Sequence, residues 1–441
     1  MTALCGLFYG ANKMATDVEV QYFSHLNGLM LGNNWGDLIR LLDKALVTGI
    51  DFTQITAVSI NAQGDVHITL YAAHNAMLFQ VVELIGFAPS SLNQKYRIKG
   101  VPSTTELILK RHAAIVETSI TTVGAGKLAS LGYEIIFRDA NDVKRVYRAK
   151  NPTAQHPFIR VDESLTSPDG TTGVYTSTYA KSAMVGLLEH MEHIDDYENP
   201  DVLQLPFNPA DPAKNWKITG TGASVVRGRC KLYWGLGTQG YGTANETTAP
   251  SNTGVAPFSL CGDKHAVYLL NEVARHTGNA GNKSLKGFGL INTCLADDVI
   301  PAWFLAVPDR AGIPAGTSYS LYNTGGMPTT YSAAACKVLV PKYNVAIKLS
   351  NSVGATTIVP DYNTGLSNLF GASNVGALEI PIYDDDLFLR GTLKHVCYSG
   401  NSRGVINTTP VAAGASMYVC DNIYGSGGGS ANLYFYLGEL E

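Results

Sequence analysis

The chain is expected to be mainly β, built from several small β-sandwich or barrel-like domains with one N-terminal amphipathic helix. Three observations predict this. Residues Gly64 to Lys110 carry a series of short strand-like runs, broken by Gly, Pro, Asn and Ser at sandwich or barrel spacing. Only 15% of the 441 residues are charged while 45% are hydrophobic, and Gly (45) and Tyr (23) are abundant. Typical soluble domains are roughly 25% charged, so this composition suits a β-protein whose surface is partly covered by neighbours; an ordinary secreted β-protein shares it. After Arg111 the texture stays β-rich, with long loops of Gly, Thr, Asn and Pro at 236–256 and 311–330.

The helix comes first. Asn34 is placed to cap it, with Asp37 as a capping-box partner. Leu38, Leu41, Leu42, Ala45 and Leu46 recur at helical spacing, Ile39 widens the stripe, and Gly49 ends it. Trp35 should pack beneath the same stripe. Strands are expected at Val66 to Ala72, Gln80 to Phe87, Tyr96 to Val101 and Thr104 to Lys110. A small polar break, Ala73-His74-Asn75, separates the first two. Further strands are expected at Tyr133 to Phe137 and Val143 to Tyr147, around the turn Asp139 to Asp142, and at Phe158 to Val161, Val225 to Trp234 and Ala266 to Leu270. Tyr179 to Ile194 fits a helix through Met184, Leu187, Leu188 and Met191, or a strand through Ala183, Val185 and Leu187. Near the C-terminus, Ala377 to Pro381 and Leu387 to His395 flank the acidic Asp384-Asp385-Asp386. Ser416 to Cys420 and Asn432 to Leu437 follow, joined by the Gly-rich tract 425–430, which reads as a hairpin tip. Three units are expected: 1–112, 113–345 and 346–441. Loops as long as 236–256 and 311–330 usually contact something.

Net charge is −4, so no global polycation exists to bind phosphate backbones, and no direct nucleic-acid contact is expected. The charges are nonetheless segregated. Lys95, Arg97, Lys99, Lys110, Arg111, Arg138, Lys144, Arg145, Arg148, Lys150 and Arg160 fall in one third of the chain. Glu189, Glu192, Asp195, Asp196, Glu198 and Asp201 follow. One reading pairs the basic Lys95, Arg97 and Lys99 of one subunit with Glu192, Asp195, Asp196 and Glu198 of the next. The other is two solvated faces. Seven cysteines, odd in number and widely spaced, fit free thiols better than a disulfide framework or a zinc ribbon. The first twenty residues lack a signal-peptide pattern, and no apolar run approaches the roughly 18 residues of a membrane span. Synthesis in a reducing cytoplasm is the expectation.

Catalytic signals are weak. His190 and His193 sit at i, i+3, whereas zincin helices need i, i+4. Asp384 and Asp386 offer carboxylates for glycoside hydrolysis or calcium, but a solvated turn or subunit contact is the simpler account. There is no G-x-S-x-G elbow, and His74 suits a loop or edge role. Tyr233-Trp234 and Tyr434-Phe435-Tyr436 can stack on sugars, although packing is their usual use. No catalytic residue, metal or cofactor is expected.

Four stretches carry a resemblance: Gly64 to Lys110; Leu131 to Glu134 with Arg145 to Thr153 and Phe158 to Glu163; Phe258 to Tyr268 with the turn Cys261-Gly262-Asp263; and Leu389 to Leu393. Their strand-turn order resembles that of tail structural proteins of tailed bacteriophages, closest to the non-contractile tail sheath of N4-like short-tailed phages. The resemblance covers most of residues 35–440 but consists of diffuse patterns. Where the family pattern has Asp-Pro-Thr this chain has Asn151-Pro152-Thr153, so no role that needs that Asp carries over. The resemblance implies a virion protein forming a homo-oligomeric ring or sheath around the tail tube. It also implies contact with other tail proteins such as tube and appendages, and with an outer-membrane receptor. It implies a strand at Tyr179 to Ile194. Rival readings are a receptor- or polysaccharide-binding adhesin, a polysaccharide depolymerase and a capsid-decorating protein.

Overall fold

The computed structural model describes residues 18–167, 173–208, 210–235, 243–250, 254–272, 283–295, 300–317, 319–320, 337–342, 353–357, 377–398, 407–424 and 430–440. The Gly-rich tract 425–429, Cys5, Cys336 and much of the two long loops lie outside these. The protein is mainly β, with three principal antiparallel sheets and one α-helix among the described residues.

The helix forms where the apolar stripe predicts it. Asp37–Leu42 is α-helical and continues as π-turns over Asp43–Thr48, burying Leu38, Ile39, Leu41, Leu42, Ala45 and Leu46. Its start differs from expectation. Asn34 makes no side-chain cap; its backbone N–H instead donates to Asp37 Oδ2 at 3.0 Å. The cap comes from a distant strand end: the Glu163 carboxylate accepts from the backbone N–H of Gly36 and, at 2.9 Å, of Ile39. An anion there also complements the helix dipole. Gly49 ends the helix at φ 75°, and a Cβ there would sit 2.1 Å from the Leu128 carbonyl oxygen. Trp35 is half-buried and meets Trp234 edge-on at 5.5 Å.

The N-terminal sheet runs in the order Ile50–Asp51, Ala125–Leu128, Val81–Ile85, Lys95–Ser103, Glu106–Arg111, Val66–Leu70, Ile55–Ile60. The strands expected over 66–110 are all present within a few residues of their expected limits. Val66, Ile68 and Leu70 are buried while His67 and Thr69 are half-buried, the alternation of a sheet with one face on a core. The middle sheet joins Gln204–Leu205, Ser182–Leu188, Phe158–Asp162, Lys144–Ala149 and Tyr133–Arg138, with Lys231–Tyr233 also on Ser182–Leu188. The ambiguous 179–194 segment therefore forms a strand over Ser182–Leu188, and the residues after it form a loop. Every residue of Ser182–Leu188 is buried, which hides the two-residue period in the sequence. The expected strand Val225 to Trp234 is two short ones, Val226–Arg227 and Lys231–Tyr233.

The large sheet has thirteen strands among the described residues. Its path is Gln21–Ser24, Phe258–Gly262, Ala266–Glu272, Lys283–Leu290, Trp303–Ala306, Lys337–Val340, Val353–Thr357, Leu378–Asp384, Leu389–Tyr398, Ser430–Glu439, Ser416–Tyr424 and Thr409–Ala413. Asn292–Thr293 adds to Leu389–Tyr398. Sheets cross both expected divisions. Gln21–Ser24 pairs with Phe258–Gly262, Ala125–Leu128 belongs with strands before residue 112, and the large sheet spans both sides of 345. Short strands find edges by shape and burial, not by nearness in sequence.

The centre of the large sheet is covered on both faces. Val267, Leu269, Phe288 and Leu305 join the core shared with the helix and the other two sheets. Their neighbours Tyr268, Leu270, Leu285, Phe304 and Ala306 point into a second core with the C-terminal strands. Each face also buries a lysine. Lys283 Nζ lies 2.6 Å from Asp421 Oδ1, both fully buried. Lys286 Nζ donates to Asn271 Oδ1 at 2.6 Å and Ser284 Oγ at 2.7 Å, and burial pushes its ammonium pKa well down.

Candidate assembly surfaces

The segregated charges meet largely within one chain. Arg97, expected at an intersubunit surface, is buried. It donates to the carbonyl oxygens of Val20 at 2.9 Å, Phe79 at 2.7 Å and Leu437 at 3.0 Å. A guanidinium offers five donors, which suits it to tying several carbonyls together. Lys99 is exposed but lies 2.7 Å from Asp65. Lys95 is half-buried and sits opposite Glu83 in the sheet.

The acidic segment behaves similarly. Asp195 takes Lys144 at 2.9 Å and Arg160 at 2.5 Å, two members of the basic third. Burial raises the Asp195 pKa, but those cations outweigh it and hold the carboxyl below its usual range. Arg160 also lies over Trp216 at 4.4 Å and Tyr197 at 5.0 Å. Asp196 accepts from the Glu192 backbone N–H at 2.8 Å, closing a local turn. Glu192 and Glu198 are exposed. Arg97, fully buried, is an internal partner and not an intersubunit one, while half-buried Asp195 is already paired within the chain. Sequence segregation of charge does not tell which strands fold back on one another.

Residues of two of the stretches, Thr153 and Asp263 to Ala266, meet His156 and His395 at a polar junction. His156 Nδ1 accepts from the Thr153 backbone N–H at 2.9 Å, which leaves Nε2 to donate to His265 Nδ1 at 3.0 Å. The two rings stack with centroids 4.9 Å apart. Asp263 Oδ1 accepts from the His265 and Ala266 N–H groups at 2.7 and 3.0 Å, and Oδ2 lies 3.0 Å from His395 Nε2. Burial, helped by His265, Lys264 and Arg148, pushes the His156 pKa down to about 4. The other weighed histidines are elsewhere: His190 and His193 are exposed in a loop, and buried His74 accepts from the Ala76 N–H at 3.1 Å. Among the described residues no three His, Cys, Asp or Glu side chains converge as metal ligands.

The acidic knot is a braced hairpin tip. Asp384 is buried; its Oδ1 accepts from the N–H of Asp386 at 3.1 Å and of Phe388 at 2.9 Å, and Oδ2 from Arg390 at 3.2 Å. Asp385 accepts from the Gly354 N–H at 3.2 Å. On the next strand segment Cys294 Sγ donates to the Leu389 carbonyl at 2.9 Å. Leu387 is held at φ 66°, a left-handed conformation costly for leucine. This bracing holds three consecutive apolar side chains in solvent: Leu387, Phe388 and Leu389 are 78, 55 and 51% exposed. Sequence reasoning noticed the aspartates and missed this patch. The signal was present in Asp-Leu-Phe-Leu, an apolar run directly after a turn.

A cleft of about 730 Å³ opens between the 207–229 segment and the loop after Trp303–Ala306. Phe207, Val226 and Ile313 give it apolar walls; Asp211, Lys214, Lys217, Arg229 and Arg310 line it as well. Lys217 pairs with Asp211 at 2.8 Å, Arg229 with Asp309 at 2.7 Å and Arg310 with Glu246 at 2.7 Å, while Lys214 is exposed. Ala311 to Ile313 belong to one of the loops expected to make contacts.

Fold and surfaces together define a mainly-β protein with a braced apolar tip and a cleft lined by apolar and charged side chains. No protein-family model matches the chain, and no curated protein matches its sequence.

Proposed function

We propose that this protein is a structural component of a tailed-phage virion, a subunit of a symmetric ring or sheath around the tail tube. The observation that carries the reading is the braced tip, where Leu387, Phe388 and Leu389 are held exposed by Asp384, Arg390 and Cys294. Contiguous exposed apolar side chains mark protein contacts, and a strained, multiply anchored turn presents them without an ordering cost on binding. The two-sided large sheet supports the same reading, because a rigid frame suits permanent assembly. The strand-turn resemblance to phage tail proteins supplies the location. Tube, appendage proteins and an outer-membrane receptor are the partners this reading proposes.

Electron microscopy and mass photometry of the purified chain test it. Closed rings of uniform subunit number are the expected outcome. Monomers at every concentration, with affinity for bacterial surface polysaccharide, would replace it with the adhesin reading.

A further inference from the structure

We propose that the tip Asp385 to Leu389 docks head to tail into the cleft of a second copy of the chain. The inference rests on the assembly reading and names the contact that builds the ring.

Strand register places tip and cleft at opposite ends of the large sheet. At the start of Trp303–Ala306, Trp303 lies opposite Leu290, and the next residues, Asn292–Thr293, pair with Thr392 and Gly391 beside the tip. On the other side Val353 pairs with Val340, and Ala355 with Asp384, which puts the tip at that same end. The chain leaves Ala306 at the other end, and three residues later Asp309 bridges to Cys230 and Arg310 to Ile313 form a cleft wall. A tip so placed cannot enter its own cleft. It can enter that of a neighbour stacked in the same sense, which is the heterologous contact that generates rings when the rotation closes.

The tip presents two exposed carboxylates, Asp385 and Asp386, next to three apolar side chains. The cleft is lined by Phe207, Val226 and Ile313 together with Lys214, Lys217, Arg229 and Asp211. Lys217 and Arg229 already have carboxylate partners in the chain, so Lys214 is the cation placed to take Asp386. The cleft volume, about 730 Å³, lies within the roughly 300–1,000 Å³ of ordinary binding clefts and can receive side chains of this size.

The test uses the full chain in a Cys294→Ser background, which removes the exposed thiol beside the tip and keeps a hydroxyl donor for the Leu389 carbonyl. Phe388→Cys protein is mixed with Ile313→Cys protein and oxidised. A disulfide-linked dimer should form from the mixture and from neither variant alone. Phe388→Asp should weaken self-association at least tenfold by mass photometry, with unchanged circular dichroism and melting temperature. Lys214→Glu should weaken it too, and Asp386→Lys in the same chain should restore it, an effect a purely structural role would not give. Rings that persist in Phe388→Asp, with no cross-link in the mixture, would overturn the docking and leave the assembly reading standing. A wild-type chain that never associates would overturn both.

Discussion

The Arg97 guanidinium donates to the carbonyl oxygen of Leu437 at 3.0 Å, across 340 residues of chain. Its other bonds, to Val20 and Phe79, bring the first described segment, the N-terminal sheet and the strand Ser430–Glu439 to a single buried cation. A residue that looked like part of a surface charge patch is an internal tie. Arg97→Met should leave those three carbonyls in apolar surroundings and cost about 3–5 kcal/mol. Urea unfolding measures it. Arg97→Lys should recover only part of the loss, since one ammonium cannot reproduce the planar fork.

The two buried lysines of the large sheet should respond unequally. Lys283→Met strands the Asp421 carboxylate in the core and should cost about 3–5 kcal/mol. Lys286→Met strands no charge; it leaves only the neutral Asn271 Oδ1 and Ser284 Oγ without that donor, so it should cost less, about 1–2 kcal/mol. Thermal melts of the two variants side by side decide this. Equal losses would refute the distinction between a charged partner and neutral ones.

Burial pushes the Glu163 pKa from 4.5 up to about 7, against the pull of the Gly36 and Ile39 N–H groups and Arg227. The folded state therefore holds a proton that the unfolded state has released between those values. Stability from this group is present below pH 4.5 and declines as pH rises to about 7, by a total on the order of 3 kcal/mol. His156 has the opposite sign. Its pKa falls from 6.5 to about 4, so its contribution grows as pH rises through that window. The two slopes overlap and oppose each other. Glu163→Gln should expose the histidine slope, giving a protein whose urea midpoint climbs more steeply from pH 4 to 6.5 than the wild type.

Asp195→Lys would set a third cation beside Lys144 and Arg160. It should lower stability by about 2–3 kcal/mol and leave any oligomer formed by the folded fraction unchanged. Glu192→Lys and Glu198→Lys, at exposed positions, should change stability by less than about 0.5 kcal/mol. Loss of assembly in the exposed-site variants alone would return the acidic segment to an intersubunit role.

The fold was legible where one face of an element was buried and the other was not. The helix stripe at Leu38 to Leu46 and the alternation in Val66–Leu70 both announce themselves in sequence. The strand Ser182–Leu188 did not, because burial on both faces erases the period that separates strand from helix. Long-range pairing was least legible. Nothing local in Gln21–Ser24 says that its partner is Phe258–Gly262, and nothing in Asn34 says that Glu163 will cap the helix instead. The candidate surfaces followed the same rule. Asp384 to Asp386 stood out as an acidic knot, but the bonds that make Asp384 an internal brace and Phe388 an exposed probe depend on Gly354, Cys294 and Arg390.

The large sheet also constrains how the chain reaches its native state. Among the described residues its edge strand Gln21–Ser24 pairs with a strand that exists only once residues 258–262 are made, and Leu389–Tyr398 gains its far-side neighbour only when Ser430–Glu439 arrives. Pairings of such long sequence separation form slowly, because loop closure precedes the contacts that reward it. During synthesis the N-terminal sheet can close early, while the helix waits for its Glu163 cap and the central wall stays open to the last strand. Unpaired strand edges are sticky in that interval. Production of this protein should therefore be limited by aggregation of late intermediates, and slower translation or lower temperature should raise the soluble yield.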